Sequence, residues 1–273
     1  LLSPLFIVGS PRSGTSILAQ AIRLVGYAGY SEGNFLSLLH TINAGVDRHF
    51  NDYGSTDPQV LMAHLDKSEL KSQLADVLRG AVERNLTPNH PWLDKTGNPK
   101  MILAIPALRA LWPSAVFLFA KRRGIENIVS RLKKFPHLDF TYHCKDWARN
   151  MFTWRQLCDA TPGLFYVEID QWDIASQPDE TADTISHFLE LSTDEAATIA
   201  DEFRRDRPQE TTPGTASHTL TLAETGWSAV EQDIFQRFCG NAMAENHYTT
   251  DASYRSVSPQ AALRWHKPER AAA

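Results

Sequence analysis

Short unbroken apolar runs alternate along this chain with longer stretches of helical period. Leu5-Phe6-Ile7-Val8 and the run from Ala115 to Ala120 are rich in branched and aromatic side chains, the pattern of strands buried on both faces. Trp92-Leu93, leading into Asp94-Lys95-Thr96-Gly97, and Leu164 to Asp170 predict two more strands. Between them lie helical periods. The first, at Ile17, Leu18, Ala21, Ile22 and Val25, is stopped by Gly26. Others are expected from Phe35 to Leu39, from Asp57-Pro58 with Asp57 as N-cap, and through Leu70, Leu74, Val77, Leu78, Ala81 and Val82. Lys100 to Leu111 reads as a helix that Pro106 should kink or split. Further helices are predicted over 124–132, 139–157, 178–191 and about 227–246, and from a capping box at Ser192–Glu195 to about Arg205. The stretches 26–34, 43–56 and 207–221 read as loops, with 43–56 a candidate flap over a substrate.

Strands that alternate with helices predict one α/β domain over 1–273, with a parallel sheet and a loosely packed tail in the last ~25 residues. At 273 residues and 42% apolar content the chain can bury a full core. The net charge of −5 argues against broad binding to nucleic acid or anionic membrane, so an anionic ligand would have to meet a local cluster of cations. Cys144, Cys158 and Cys239 are odd in number and widely spaced, which suits buried thiols in a reducing, cytoplasmic setting. No apolar run reaches membrane-spanning length. The sequence starts at Leu1 rather than at a methionine, which leaves room for a removed upstream segment.

The first strand delivers Gly9-Ser10-Pro11-Arg12-Ser13-Gly14-Thr15-Ser16 to a helix N-terminus. Backbone N–H groups of such a loop converge on one point, where the helix dipole adds positive charge, and an anion is the natural ligand. The loop nearly fits the nucleotide-binding pattern G-x-x-x-x-G-K-[ST], but Thr15 stands where the lysine should be, which disfavours ordinary kinase or ATPase chemistry. The cation here is Arg12. A second basic cluster, Lys121-Arg122-Arg123, closes the strand 115–120, and Ser130 follows Arg122 by eight residues on the next helix, where it can face back toward the loop. A guanidinium grips phosphate in bidentate fashion; Arg123 and Lys133-Lys134 read equally well as solvated charges.

Pro11-Arg12-Ser13-Gly14-Thr15-Ser16 resembles the phosphosulfate-binding loop of the sulfotransferases. Arg122 with Ser130 falls where that family grips the 3′-phosphate of its donor, and Lys95-Thr96 and Tyr166-Val167-Glu168-Ile169-Asp170 match supporting elements. The resemblance covers about residues 4–191 and implies a P-loop-like parallel sheet of about five strands with helices on both faces. It further implies 3′-phosphoadenosine 5′-phosphosulfate (PAPS) as donor, adenosine 3′,5′-bisphosphate as product and no required metal. The implied catalytic residues are Glu32, Arg12 and Lys95, with Pro11, Arg12, Ser13, Gly14, Thr15, Ser16, Arg122 and Ser130 binding the donor. Arg12 and the Arg122/Ser130 pair would stand one ribose apart. A solvated loop glutamate is the plain alternative for Glu32, with His40 and His49 as reserve bases. The acceptor is expected to be a small molecule or glycan bearing a hydroxyl, its pocket shaped by residues 27–56 and 207–225. The Arg-Lys-Gly segment of the cytosolic eukaryotic members is absent; only Arg204-Arg205-Asp206-Arg207 stands nearby. A P-loop kinase-like transferase and a non-catalytic nucleotide-binding protein are the alternatives.

Overall fold

A computed structural model describes residues 3–30, 32–205 and 219–267. Its centre is a six-stranded sheet in the order β2-β3-β1-β4-β5-β6. The strands are β1 (Leu5–Gly9), β2 (Ala28–Tyr30), β3 (Trp92–Lys95), β4 (Val116–Lys121), β5 (Tyr166–Asp170) and β6 (Trp265–His266). The first five pair in parallel and β6 runs antiparallel to β5, so the expected sheet of about five parallel strands gains one short edge strand. The continuous apolar runs sit where two-sided burial requires them, since Leu5 to Val8 and Phe117 to Ala120 are buried.

Alternate residues of each strand feed two cores. Phe6, Val8, Phe117 and Phe119 face one side, covered by α2 (Leu38–Tyr53), α3 (Lys67–Glu83), α4 (Pro99–Leu111), α5 (Gly124–Lys134) and α6 (Phe140–Ala160). Leu5, Ile7, Leu118 and Val167 face the other, packed on α1 (Thr15–Leu24) and, past α7 (Gln171–Ser176), on α8 (Pro178–Leu189) and α9 (Thr193–Arg204). α10 (Ala229–Glu245) joins the first side through Phe235, Cys239, Ala242 and Met243. The connection from β1 runs by way of α1 to β2 on one side, and the connection from β3 passes β1 to reach β4 on the other. The carboxyl end of β1 is therefore the switch point of the sheet, where open α/β folds bind ligands.

Several sequence expectations change. Residues 43–53, read as irregular and as a flap, lie in α2, whose Leu39, Ile42, Val46, Phe50 and Tyr53 repeat every three to four positions. Asp57 caps no helix; a single 3-10 turn spans Leu61–His64, and α3 is capped by Asp66, which accepts from the Glu69 amide. Pro106 lies inside α4 without ending it, because Ile102, Ile105 and Leu108 are all buried and hold the helix from outside. Ala28–Tyr30 is an edge strand rather than loop. The described part of the tail is anchored at a few points. Tyr254, Arg255 and Ala262 are buried, the Tyr248 and Tyr254 hydroxyls both donate to Asp170, and Arg255 pairs with Asp170 and Asp173. The loop predicted over 207–221 lies mostly outside the described residues.

Candidate active site

The chain turns out of β1 through a strained loop. Gly9 has φ 143° and passes so near Ala120 that a Cβ would stand 2.2 Å from its carbonyl oxygen. Arg12 has φ 71°, a left-handed conformation that a long side chain adopts only when its surroundings impose it. Gly14, at φ 84°, is the N-cap of α1 and offers no side chain to the first-turn amides, which therefore point into the loop.

One face of α5 sets the loop. Asn127 Nδ2 donates to the Pro11 carbonyl and to Ser13 Oγ, each at 3.0 Å. Arg131, buried, donates to Ser10 Oγ at 3.0 Å and to Asp146 at 2.6 Å, with His143 Nδ1 at 3.3 Å. Burial and the Arg131 charge keep the His143 imidazole below its ordinary pKa. Positions 127, 130 and 131 share one face by helical spacing, so Asn127 and Arg131 were open to detection beside Ser130.

Arg12, Arg122 and Ser130 meet. Arg12 Nε donates to Ser130 Oγ at 3.0 Å, and an Arg122 terminal nitrogen donates to the Arg12 carbonyl at 3.3 Å. The expected gap between two cationic centres is closed, because the left-handed turn at Arg12 swings its side chain toward α5. Burial and the neighbouring Arg122 charge lower the Arg12 pKa. Among the described residues Arg122 Nε is buried without a hydrogen-bond partner. Two guanidinia held together, one with an unused donor, fit an anion with several acceptor oxygens. Arg123, read as a possible solvated charge, is fully buried. It pairs with Glu126 and donates to the carbonyls of Leu220, Thr249 and Asp251. Arg204 and Arg205 bind carboxylates of α8 and α9 instead, at Asp179, Asp201 and Glu202.

A second cluster stands on the β3 side. Lys95 is 4% exposed, reaches Ser16 Oγ at 3.4 Å and forms an ion pair with Glu32, whose side chain remains 60% exposed. The Gly33 amide donates to the Lys95 carbonyl, and the Asn34 amide to Thr96 Oγ1, which fixes the 32–34 segment over the end of β3. Beneath it, burial chiefly raises the Asp94 carboxyl to about 6, against a hydrogen bond from Thr96 Oγ1 and the Lys95 charge. His40 lies in the first turn of α2, and His49 lies exposed near its end against Tyr53.

A family model described as the sulfotransferase family matches residues 4–195. The chain belongs to the sulfotransferase family. This sulfotransferase shares its fold with the sulfotransferase domain from the curacin biosynthetic pathway (16% identity, TM-score 0.50, covering 92% of this chain and 99% of that one). The sulfotransferase domain from the Synechococcus PCC 7002 olefin synthase is similar at 18% identity and TM-score 0.50, covering 87% and 94%. A search of curated protein sequences gives no significant match. No helix among the described residues is long and apolar enough to cross a membrane.

Proposed function

We propose that this enzyme transfers a sulfuryl group from PAPS to the hydroxyl of an acceptor, with Glu32 as the base. The observation that carries the reading is the bond of Arg12 to Ser130 and of Arg122 to the Arg12 carbonyl, with a buried guanidinium N–H of Arg122 left over, beside a loop whose amides and helix N-terminus already favour an anion. The Lys95 ammonium and Ser16 hydroxyl supply a second anchoring point at the start of α1. Two such points suit a nucleotide phosphorylated at both its 3′ and 5′ positions. Arg122 and Ser130 would hold the 3′-phosphate, and Arg12, bonded to Ser130, would reach from there toward the leaving 5′-phosphate and balance its growing charge in the transition state. Lys95, the Thr15 and Ser16 hydroxyls and the Ser13–Ser16 backbone would hold the 5′ end, with Pro11 shaping the turn.

The donor supplies an activated sulfuryl group and leaves as adenosine 3′,5′-bisphosphate. Glu32 takes the proton of the attacking hydroxyl as the new S–O bond forms and the S–O bond to the donor phosphate breaks. Lys95 balances that charge shift. Its ammonium touches the carboxylate that would gain the proton and the hydroxyl of Ser16 on the loop, which supports a role in balancing charge on the leaving oxygen.

Thermal shift with adenosine 3′,5′-bisphosphate, compared with ATP and Mg²⁺, tests the donor assignment. The bisphosphate should stabilise the protein by about 2–3 kcal/mol at a hundredfold excess over its Kd. Stabilisation by ATP–Mg²⁺ alone would favour a kinase-like transferase instead.

A further inference from the structure

The polar end of the site opens into a cleft of about 350 Å³ between β2, β3 and the end of α3. Its walls are Tyr30, Phe35, Leu36, Val82, Leu86 and Trp92, and two carboxylates, Glu32 and Asp94, reach it from the β3 side. Tyr30 and Phe35 are exposed at its rim, at 55% and 39%, although both are large aromatic side chains. The volume lies at the small end of the range for small-molecule pockets, about 300–1,000 Å³. An unbroken series of contacts joins the cleft to the loop: Ser16 to Lys95, Lys95 to Glu32, and Glu32 to the cleft wall.

Resting on the sulfotransfer reading above, we infer that this cleft is the acceptor pocket and that the acceptor is a small alcohol or phenol with an apolar body, its hydroxyl directed at Glu32. The expectation of a glycan rested on the polar residues of 27–56 and 207–225; the first segment does line the cleft, but mostly through Tyr30, Phe35 and Leu36, while its polar residues beyond Leu38 lie in α2 and do not reach it. A sugar buried here would find few partners for its several hydroxyls, since among the described residues the polar side chains of the lining are only Tyr30, Glu32, Asn85 and Asp94. Each is already engaged at one atom: Tyr30 donates to the Asn85 carbonyl, Asn85 Nδ2 to the Ala81 carbonyl, Asp94 Oδ1 accepts from Thr96, and Glu32 is paired with Lys95. Each buried hydroxyl without a partner costs about 1–3 kcal/mol, and several at once outweigh what the sugar ring gains by contact. An aromatic or aliphatic body pays no such penalty and covers Phe35, Leu36, Val82 and Trp92.

The experiment measures transfer from radiolabelled PAPS by the full chain to 1-naphthol, 1-octanol, N-acetylglucosamine and trehalose, with bisphosphate binding followed separately by calorimetry. Transfer to naphthol or octanol should exceed transfer to either sugar by about 100-fold or more, the discrimination that several unpaired buried polar groups produce. Val82→Trp, which fills the cleft, and Phe35→Ala, which removes an exposed rim contact, should each raise the acceptor KM about tenfold while bisphosphate affinity stays unchanged. Phe35 is exposed enough that its variant keeps the fold if Val82→Trp does not. Preference for a sugar, transfer to none of the four by a protein that binds the bisphosphate, or an unchanged acceptor KM in Phe35→Ala overturns the inference. Failure to bind the bisphosphate at all overturns the donor assignment instead.

Discussion

Lys95 and Glu32 divide one ion pair unequally: the lysine is buried to 4% exposure while the glutamate stands 60% open. The exposed partner can meet an acceptor; the buried one is held in place by the strand end and by Ser16. Lys95→Ala and Arg12→Ala should each lower kcat by about 100-fold or more, the size of a lost charge contact in the transition state. Steady-state kinetics check this, and unchanged turnover in both removes the assignment. Glu32→Gln should abolish transfer while bisphosphate binding persists; surviving activity would turn attention to His40 and His49. Asp94 makes a separate prediction. Its folded pKa of about 6 exceeds the ordinary aspartate value, so the native state holds the proton more tightly than the unfolded chain does. Stability therefore falls as pH rises from about 4 to about 6, by about 2–3 kcal/mol, and stays lower above that window. Asp94→Asn, which keeps the acceptor for Thr96, should flatten the pH profile of denaturant unfolding and raise stability at pH 7.

At the scale of elements, α5 carries the loop more than the loop carries itself. Within five positions its inner face presents Asn127, Ser130 and Arg131, each bonded to a different loop residue. That arrangement lets Arg12 keep its left-handed backbone, because the neighbouring turns at Ser10, Pro11 and Ser13 are already fixed. Asn127→Ala removes both the Pro11 and the Ser13 contacts. It should cost about 1–3 kcal/mol of stability and weaken bisphosphate binding about tenfold, although residue 127 would not itself touch the nucleotide. Urea unfolding and calorimetry on the same variant check the two effects, and an unchanged affinity would mean that the loop holds its shape without α5. At Gly33, a Cβ would run into the Asp94 carboxylate, so any larger residue there must displace either that side chain or the segment that bears Glu32.

Across the whole molecule, the C-terminal segment is fastened at the end of β5 by ion pairs and hydrogen bonds as well as by the buried rings of Tyr248 and Tyr254. Arg255 neutralises Asp170 and Asp173, Tyr248 and Tyr254 give Asp170 their hydroxyls, and Arg123 ties the same region to the end of β4 beside Arg122. Arg255→Ala would leave the buried Asp170 carboxylate, and Asp173 beside it, without their shared cation and should destabilise the protein by about 3–5 kcal/mol. The check is denaturant unfolding at neutral pH, and a loss below ~1 kcal/mol would mean that water reaches Asp170 readily. This fastening could not be read from the sequence. The segment after Asn246 has little periodicity, and its partners lie some eighty residues upstream.

The strands β1 and β4 and the loop from Gly9 to Ser16 were legible in the sequence because each depends on local chemistry, whereas the Arg122–Ser130 pair was named from the resemblance to the sulfotransferases. Continuous branched and aromatic runs demand two-sided burial, and a glycine-bearing turn into a helix favours an anion wherever it occurs. Other features came only from long-range contact. Pro106 keeps its helix because neighbouring elements clamp it, Arg123 is buried because three distant carbonyls and Glu126 receive it, and Arg12 joins Ser130 because α5 pulls the loop over. Apolar period and turn chemistry act over a few residues and survive without a partner. Which charge ends up buried, and against what, is set by segments that meet only when the sheet assembles.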